Sequence, residues 1–301
     1  MGLVIAGGTG FLGRPLATAF GPDLIILTRQ AARPARTPGT RVREWTPDGT
    51  TGPWASVIDG ADAVVNLAGE SIAGARWTDA QKRRILDSRV LATRSLVAAI
   101  AQAGSPPPVF VSGSAVGYYG PLGDEIVTEE RAAGADFLAG VCVQWEAEAM
   151  RAASPRTRVV CIRTGLVLER DGGALPKMLP PFWFGAGGRV GSGRQYWPWI
   201  HRQDWIDLVR FAIRTARVAG PLNATAPHPV TNAEFARALG RSIGRPSFMP
   251  TPGFALKLLL GEMAEALLLS GQRAVPAKAE RLGYEFAFTD LAAALRAIFR
   301  H

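Results

Sequence analysis

The chain has 301 residues, 48% of them hydrophobic and 20% charged, which is typical of folded globular proteins and excludes a largely disordered chain. Its 34 Lys and Arg exceed its 25 Asp and Glu and give a formal net charge of +9. The cations are scattered arginines without a long run, so nucleic-acid binding is not indicated. Two cysteines and three histidines, without metal-ligand spacing, exclude a disulfide framework and indicate no metal site.

The N-terminal apolar run is too short for a signal peptide, and no stretch has the roughly 18 uninterrupted apolar residues that a bilayer span needs. We therefore expect a soluble, cytoplasmic protein. Its expected partner is a small-molecule substrate, and neither nucleic acid nor a membrane is expected. The sequence leaves a homodimer open.

In the first two thirds of the chain, short apolar runs alternate with longer amphipathic stretches. The apolar runs predict strands at 3–6, 24–27, 64–67, 109–111 and 159–162, and the amphipathic stretches predict helices at 14–20, 79–103 and 137–153. This alternation predicts an α/β fold with a Rossmann-type doubly wound parallel sheet and helices on both faces.

After about residue 170 the pattern changes. Gly and Pro cluster through 171–198, and helices are predicted at 204–217, 232–243, 254–269 and 290–298. We assign residues 1–170, with a return segment at about 200–226, to the sheet domain. Residues 171–199 and 227–301 form a smaller, mainly helical, substrate-side domain, with the ligand expected in the crevice between the two.

A glycine-rich loop follows the first predicted strand and opens the first helix. Gly7 permits a tight turn, Gly10 lets the backbone approach a pyrophosphate, and Gly13 allows close packing of the helix. The loop, which also includes Thr9, Phe11 and Leu12, predicts a dinucleotide cofactor.

The end of the second strand indicates which dinucleotide is bound. An NAD site usually presents a carboxylate there, whereas this chain has Thr28 and Arg29, followed by Arg33 and Arg36. A carboxylate would repel a 2′-phosphate and an arginine would bind it, so we predict NADP(H). The alternative is that Arg29 only begins a solvated basic loop.

Further motifs extend along the whole chain. They are Asn-Leu-Ala-Gly-Glu at 66–70, Arg-Trp-Thr at 76–78, Ser-Arg at 88–89 with Thr93, the Ser-Gly-Ser-Ala-Val-Gly-Tyr-Tyr-Gly run at 112–120, Gly-Gly-Ala-Leu-Pro-Lys at 172–177, Gly-Ser-Gly-Arg-Gln at 191–195, Trp-Ile-His-Arg-Gln-Asp at 199–204, and 261–263, 268–272, Pro276 and 283–286 near the C-terminus. With these motifs the chain resembles an atypical subgroup of the extended short-chain dehydrogenase/reductases. Its members are usually described as NAD(P)-dependent nucleotide-sugar epimerases with a small C-terminal domain.

The resemblance implies further cofactor contacts. It places Leu67, Ala68 and Gly69 along the cofactor, and Arg89 near its pyrophosphate and ribose. Ser112 is grouped with them. The residues that follow the strand predicted at 159–162 should approach the nicotinamide; they are Arg163, Gly165, Leu166 and Val167. For Leu67 and Val167, plain packing is compatible with the same placement.

The catalytic pair of the family is missing. Ordinary members carry Tyr-x-x-x-Lys on the helix after the fifth strand, where Lys lowers the Tyr pKa and Tyr shuttles a proton. The resemblance puts Leu138 and Cys142 at these positions and retains only the family's serine, as Ser114. Replacements that stay open for the acid/base role are Tyr119, Tyr118, Lys82, Glu70 and His201.

Aromatic and basic residues suggest a substrate pocket. Trp77, Trp183, Trp197 and Trp199 would provide apolar surface, and Lys177, Arg189 and Arg194 would hold an anionic group. Glu70, Tyr118 and His201 are assigned to the same pocket. The alternative is an aromatic core with solvated basic residues. Two functions therefore remain open: an NADP(H)-dependent oxidoreductase or epimerase, and a non-catalytic NADPH-binding redox sensor or regulatory protein.

Overall fold

The computed structural model describes residues 2–30 and 39–300. In chain order, the first part consists of β1 (Leu3–Ala6), α1 (Gly13–Phe20), β2 (Leu24–Thr28), β3 (Arg41–Glu44), β4 (Ala63–Asn66), α2 (Asp79–Gln102), β5 (Val109–Ala115), β6 (Ile126–Val127), α3 (Phe137–Met150) and β7 (Arg158–Thr164). Single 3-10 turns lie at Pro53–Val57 and Val116–Tyr119.

The second part consists of β8 (Leu166–Leu168), α4 (Leu175–Trp183), β9 (Tyr196–Trp197), β10 (Trp199–His201), α5 (Arg202–Arg214), β11 (Gly220–Ala224), β12 (Val230–Thr231), α6 (Asn232–Ser242), α7 (Gly253–Leu260), α8 (Glu262–Ala264), β13 (Arg273–Ala274), α9 (Ala277–Arg281) and α10 (Leu291–Phe299). A π-helical turn at Glu265–Leu269 follows α8. No helix within 2–30 and 39–300 has both the length and the apolarity to cross a membrane.

Seven strands form one parallel sheet in the order β11-β7-β5-β4-β1-β2-β3. Alternate side chains of each strand point to opposite faces. Leu3 and Ile5 of β1 therefore join the core under α1 and α5, while Val4 and Ala6 join the core under α2 and α3. The predicted doubly wound α/β fold is confirmed.

The helices begin where side chains satisfy their free N–H groups. Thr78 accepts a hydrogen bond from the Gln81 N–H and starts α2, and Asp136 accepts one from the Ala139 N–H and starts α3. α3 follows β6 and packs beside α2, so both capped helices cover the sheet face that carries Val4 and Ala6.

Four larger differences from the predicted elements stand out, and the short strands β6, β8, β9, β10, β12 and β13 and helix α9 were also not predicted. β3 reads Arg-Val-Arg-Glu and lies mostly exposed at the sheet edge, and β11 begins with Gly-Pro, so neither shows the apolar run of a buried strand. α4 forms within the segment predicted to be irregular, with Pro176 in its first turn, where the missing N–H costs little. The helix predicted at 254–269 is broken at Gly261, whose φ is +64°.

A separate hydrophobic cluster holds the C-terminal part together. α4, α6 and α10 contribute Phe182, Phe235 and Leu295, which pack around the fully buried Trp199. β11 pairs with β7, so the chain returns to the sheet before entering α6. The described residues hold no group of three or more His, Cys, Asp or Glu that could bind a metal ion.

Candidate active site

The glycine loop stands where the strand order reverses. β1 lies between β4 and β2, and open α/β sheets bind ligands beyond the carboxyl ends of strands at such a point. Gly7 has a φ of +79°, and a Cβ on Gly13 would lie 2.2 Å from the Gly7 oxygen. Gly10 is exposed, and a Cβ there would meet only the Gly7 oxygen, at 3.3 Å. The loop is therefore tight on its inner side and open on its outer side.

A second loop, Leu67 to Gly69, lies against the first. A Cβ on Gly7 would lie 2.6 Å from the Leu67 carbonyl carbon. Asn66, at the end of β4, accepts a hydrogen bond from the Ala68 N–H at 3.1 Å and donates one to Thr93 Oγ1 at 2.9 Å. Asn66 and Thr93 belong to the motifs that carry the family resemblance, but only the structure shows that they hold this second loop.

A cavity of about 360 Å³ lies beside these loops, between the sheet and the C-terminal part of the chain. Ser114, Arg89, Cys142 and Thr164 are among the polar residues that line it, and Tyr196 and Trp197 line it as well. The predicted cofactor residues that line it are Leu12, Leu67, Arg89, Gly165 and Leu166.

Among the described residues that line the cavity, Arg89 is the only charged one. Its Nη1 donates to the Ile85 carbonyl at 2.9 Å, and its guanidinium lies 5.3 Å from the Trp145 ring centroid. Burial lowers the pKa of Arg89, while the charge of Glu70 acts in the opposite direction. An arginine remains charged at neutral pH even so, and the cavity therefore has a cationic side.

Leu138 and Cys142 lie one turn apart on α3, and both line the cavity. Burial, together with the charge of Glu146, raises the pKa of the Cys142 thiol to about 11. The thiol is therefore protonated at neutral pH. This face of α3 presents an apolar side chain and a neutral thiol at the two positions that the resemblance gives to Tyr and Lys.

A buried ion pair lies directly behind Ser114. Ser114 Oγ donates to Glu146 Oε1 at 2.6 Å, and Arg163 donates to both Glu146 oxygens at 2.8 Å. Burial by itself lowers the pKa of Arg163, but the hydrogen bond and charge of Glu146 outweigh it and raise the pKa above its usual value. Because the single hydroxyl proton of Ser114 is directed to Glu146, its oxygen offers lone pairs to the cavity.

Glu146 is the residue that sequence reasoning missed. Leu138, Cys142 and Glu146 are spaced four residues apart, which places them on one helix face. Two signals in the sequence could have indicated Glu146. One is this spacing, and the other is Arg163 at the end of a buried strand, where it needs a buried counter-charge.

Tyr119 and Arg163, predicted as site residues, belong to this buried network and do not line the cavity. Tyr119 is 1% exposed, and its hydroxyl donates to Asn223 Oδ1 at 2.7 Å and accepts from Arg163 Nη1 at 3.0 Å. Burial raises the pKa of Tyr119 to about 12, although Arg163 opposes the shift. The Tyr118 ring centroid lies 3.5 Å from the Arg163 guanidinium. Both tyrosines therefore contact Arg163, and neither is among the described residues that line the cavity.

The predicted substrate-pocket residues are not gathered at the cavity. Those concerned are Glu70, Trp77, Tyr118, Lys177, Arg189, Arg194, Trp199 and His201, none of which is among the described residues that line it. Trp77 and Trp199 are buried and donate their indole N–H to the carbonyls of Ile72 and His228. Lys177, Arg189 and Arg194 are exposed. Trp197, from the same group of tryptophans, does line the cavity.

His201 lies at a second, more open cavity of about 720 Å³ between α1 and α5, which Thr9, Gly10 and Phe11 also line. Its Nδ1 accepts the Gln203 N–H at 3.1 Å and so caps α5. Its ring stacks on Phe288 with 4.0 Å between ring centroids, and burial lowers its pKa. The cap requires a neutral ring, because a protonated Nδ1 could not accept this hydrogen bond.

The remaining predicted cofactor residues lie at several depths. Thr28 accepts the Gln30 N–H at 3.3 Å, and Arg29 is exposed at the carboxyl end of β2. Arg33, with Arg36, lies outside the described residues. Ser112 is fully buried and Val167 is 7% exposed.

The strand order, the glycine loop and the adjoining cavity define a Rossmann-type protein, and the family match below places it in the extended short-chain dehydrogenase/reductase class. The sequence model of the NAD dependent epimerase/dehydratase family matches residues 3–224, and the chain belongs to that family. A second model, described as a domain of unknown function, DUF1731, matches residues 251–298.

Individual relatives cover nearly the whole chain. Epimerase family protein ML0860 of Mycobacterium leprae is 42% identical over 294 residues, which cover 97% of this chain and 94% of the relative. The crystal structure of human epimerase family protein SDR39U1 with NADPH matches with a TM-score of 0.90 at 36% identity and covers 100% of both chains. The crystal structure of a nucleoside-diphosphate sugar epimerase from Corynebacterium glutamicum matches with a TM-score of 0.78 at 36% identity, covering 98% of this chain and 57% of that one.

Proposed function

We propose that the protein is an NADP(H)-dependent oxidoreductase or epimerase that acts on a small-molecule substrate. The observation that carries the proposal is the glycine loop, open on its outer side and adjoining the cavity that Ser114 lines. When bound, the nicotinamide ring accepts or returns a hydride at C4. The protein's residues bind this cofactor, orient the substrate and exclude water.

The cofactor part rests on two features. α1 begins directly after the glycine loop and has no side-chain cap, and a helix N-terminus of this kind favours a phosphate group. Arg29 at the end of β2 is exposed and available to a 2′-phosphate. The human relative whose structure contains NADPH supports the same cofactor here.

Arg29→Ala tests the choice of cofactor. A charge-assisted hydrogen bond contributes about 1.5–3 kcal/mol, so the variant should lose at least about tenfold in NADPH affinity and leave NADH affinity unchanged. Arg217→Ala is the matched control, since it removes an exposed arginine just before β11, at the opposite edge of the sheet. An unchanged preference for NADPH in Arg29→Ala would remove Arg29 from the argument.

The proposed role of Ser114 is to orient the reacting group. Its oxygen is available to the cavity as an acceptor because its hydroxyl group donates its hydrogen bond to Glu146. The matching substrate group would be a hydroxyl, which would donate a hydrogen bond to Ser114. Nucleotide sugars, which carry such hydroxyls, are the substrate class to test first.

Two measurements test the reaction. A nucleotide sugar that raises the melting temperature only in the presence of NADPH would support this substrate class, and no shift across a panel would leave it without support. Oxidation or reduction of bound cofactor during turnover should be abolished in Ser114→Ala and retained in Ser56→Ala, an exposed serine on the Pro53–Val57 turn.

A second candidate function is that of a non-catalytic NADPH-binding redox sensor. It is favoured by one observation: the cavity face of α3 carries Leu138 and Cys142, which offer neither a proton shuttle nor a cation. This function predicts tight NADPH binding with no change in the redox state of the cofactor under any substrate tested.

A further inference from the structure

The exposed apolar side chains of this protein are concentrated on one part of its surface. Of the ten large apolar side chains that are exposed in the described part of the chain, seven lie between residues 183 and 259. Phe184, Phe248, Phe254, Leu258 and Leu259 are 71–86% exposed, and Trp183 and Met249 are 53% and 47% exposed. We call these seven residues the apolar patch. Single exposed apolar residues are ordinary, but a group of this size marks an interaction surface.

Backbone contacts join the parts of the patch. The segment after α4 runs beside the segment before α7: the Met249 N–H donates to the Gly187 carbonyl at 3.1 Å, and the Thr251 N–H donates to the Arg189 carbonyl at 2.8 Å. Thr251 leads directly into α7, which has no buried residue although it reads Gly-Phe-Ala-Leu-Lys-Leu-Leu-Leu. Such a helix is not explained by packing within the described chain.

The charged residues around the patch are mainly Lys and Arg, and the acidic residues that follow α7, Glu262 and Glu265, pair with Lys82 and Lys257. Residues 172–200 and 235–261 contain seven Lys and Arg and no Asp or Glu. Lys177, Arg189 and Arg194, predicted from the sequence to bind an anionic substrate, are among these seven, and the structure places them on the surface. Lys257 pairs with Glu265 of the following turn at 2.9 Å, whereas Arg241 and Arg245 are exposed beside Phe248 in the chain.

We propose that the apolar patch docks on an anionic lipid bilayer, with α7 lying in the plane of the interface. Exposed aromatic and leucine side chains enter the boundary between headgroups and acyl chains, and a rim of Lys and Arg neutralises anionic headgroups. The sequence argued against a membrane because no stretch spans one, but docking at the interface requires no span. A second copy of the chain would carry the same rim of cations, whereas an anionic bilayer complements it.

The test measures co-sedimentation of the full chain with phosphatidylcholine vesicles that contain or lack phosphatidylglycerol. The expected result is binding that requires phosphatidylglycerol and weakens with added salt. Phe254→Ser/Leu258→Ser removes two exposed side chains one turn apart on α7 and should lower the partition coefficient at least tenfold. Ile126→Ser/Met150→Ser, which removes exposed apolar side chains elsewhere, should bind as the wild type does.

A second variant tests the charges without altering α7. Arg241→Gln/Arg245→Gln should lower the partition coefficient by roughly thirtyfold, and Arg156→Gln/Arg217→Gln should leave it unchanged. Unchanged NADPH affinity in every variant separates this proposal from the proposed function. Absence of wild-type binding to anionic vesicles, or equal binding by Phe254→Ser/Leu258→Ser, would overturn the proposal. So would a wild-type dimer that the same double variant dissociates, because the patch would then be an interface between copies.

Discussion

The same substitution, Gly to Ala, should lower stability at one position of the glycine loop and NADPH affinity at another. A Cβ on Gly13 would lie 2.2 Å from the Gly7 oxygen and 2.7 Å from the Gly8 Cα, backbone atoms that cannot move aside independently. A Cβ on Gly10 would have only the Gly7 oxygen nearby, at 3.3 Å, and would point into open space. Gly13→Ala therefore perturbs the fold, and Gly10→Ala perturbs the ligand site.

The magnitudes follow from the two environments. Overpacking of a tight site costs about 1–3 kcal/mol, and the better helix propensity of Ala recovers at most about 1 kcal/mol. Gly13→Ala should thus lose about 2 kcal/mol and, since the unfolding entropy of a chain of this length is about 0.6 kcal/mol/K, lower Tm by about 3 °C. Gly10→Ala should stay within about 0.5 kcal/mol of the wild type. Its NADPH affinity should fall at least tenfold, or about 1.4 kcal/mol, because the methyl group occupies the space of the pyrophosphate.

Thermal unfolding without ligand and fluorescence titration with NADPH measure the two effects separately. Gly140→Ala is the matched control: it lies within α3 with nothing within 4 Å of the added Cβ, so it should keep full affinity and gain some stability. If Gly10→Ala bound NADPH like the wild type, or if Gly13→Ala kept the wild-type Tm, the assignment of separate roles to the two glycines would be wrong.

Two further predictions concern the buried polar groups. Arg163→Met leaves the Glu146 carboxylate buried without its partner, so urea unfolding should show a loss of about 3–5 kcal/mol; a loss below about 1 kcal/mol would contradict the ion pair. Burial lowers the pKa of His201, so the folded protein binds fewer protons than the unfolded chain, and stability should fall as pH drops below about 6.5 toward the folded pKa, by at most about 1.4 kcal/mol per pH unit. His201→Asn keeps a cap acceptor that does not titrate, and an equally steep pH dependence in this variant would exclude His201 as the cause.

The fold was largely readable from the sequence because its signals are local. The core strands are short apolar runs, and the glycine loop is a backbone motif whose structure depends on adjacent residues. β3 was missed because an exposed edge strand with the sequence Arg-Val-Arg-Glu buries too little to show an apolar pattern. α4 was missed because its prolines resemble a loop, although Pro176 lies where a helix tolerates it.

The site was less readable because its chemistry depends on which side chains meet across the sheet. Trp199 and Tyr119 are residue types that often line pockets. In the structure, however, Trp199 is a core residue and Tyr119 is a hydrogen-bond partner of Arg163. The Glu146–Arg163 pair joins a helix to a strand, and no single segment reveals it. Trp197 and Trp199 are separated by one residue, and only tertiary packing decides which of them faces the cavity.

The distribution of charge indicates how this site differs from one with Tyr and Lys. Glu146 and Arg163 neutralise each other behind Ser114, so they add no net charge to the cavity but direct the Ser114 proton away from it. Cys142 is neutral at the position that the resemblance gives to the Lys. The cation on this side is therefore Arg89, which reaches the same wall from α2 instead of α3. One cation suits the ribose and phosphates of a dinucleotide, so an anionic substrate would have to find its counter-charge outside the described cavity lining. A neutral hydroxyl-bearing group opposite Ser114 matches the polarity of this wall better than a second phosphate does.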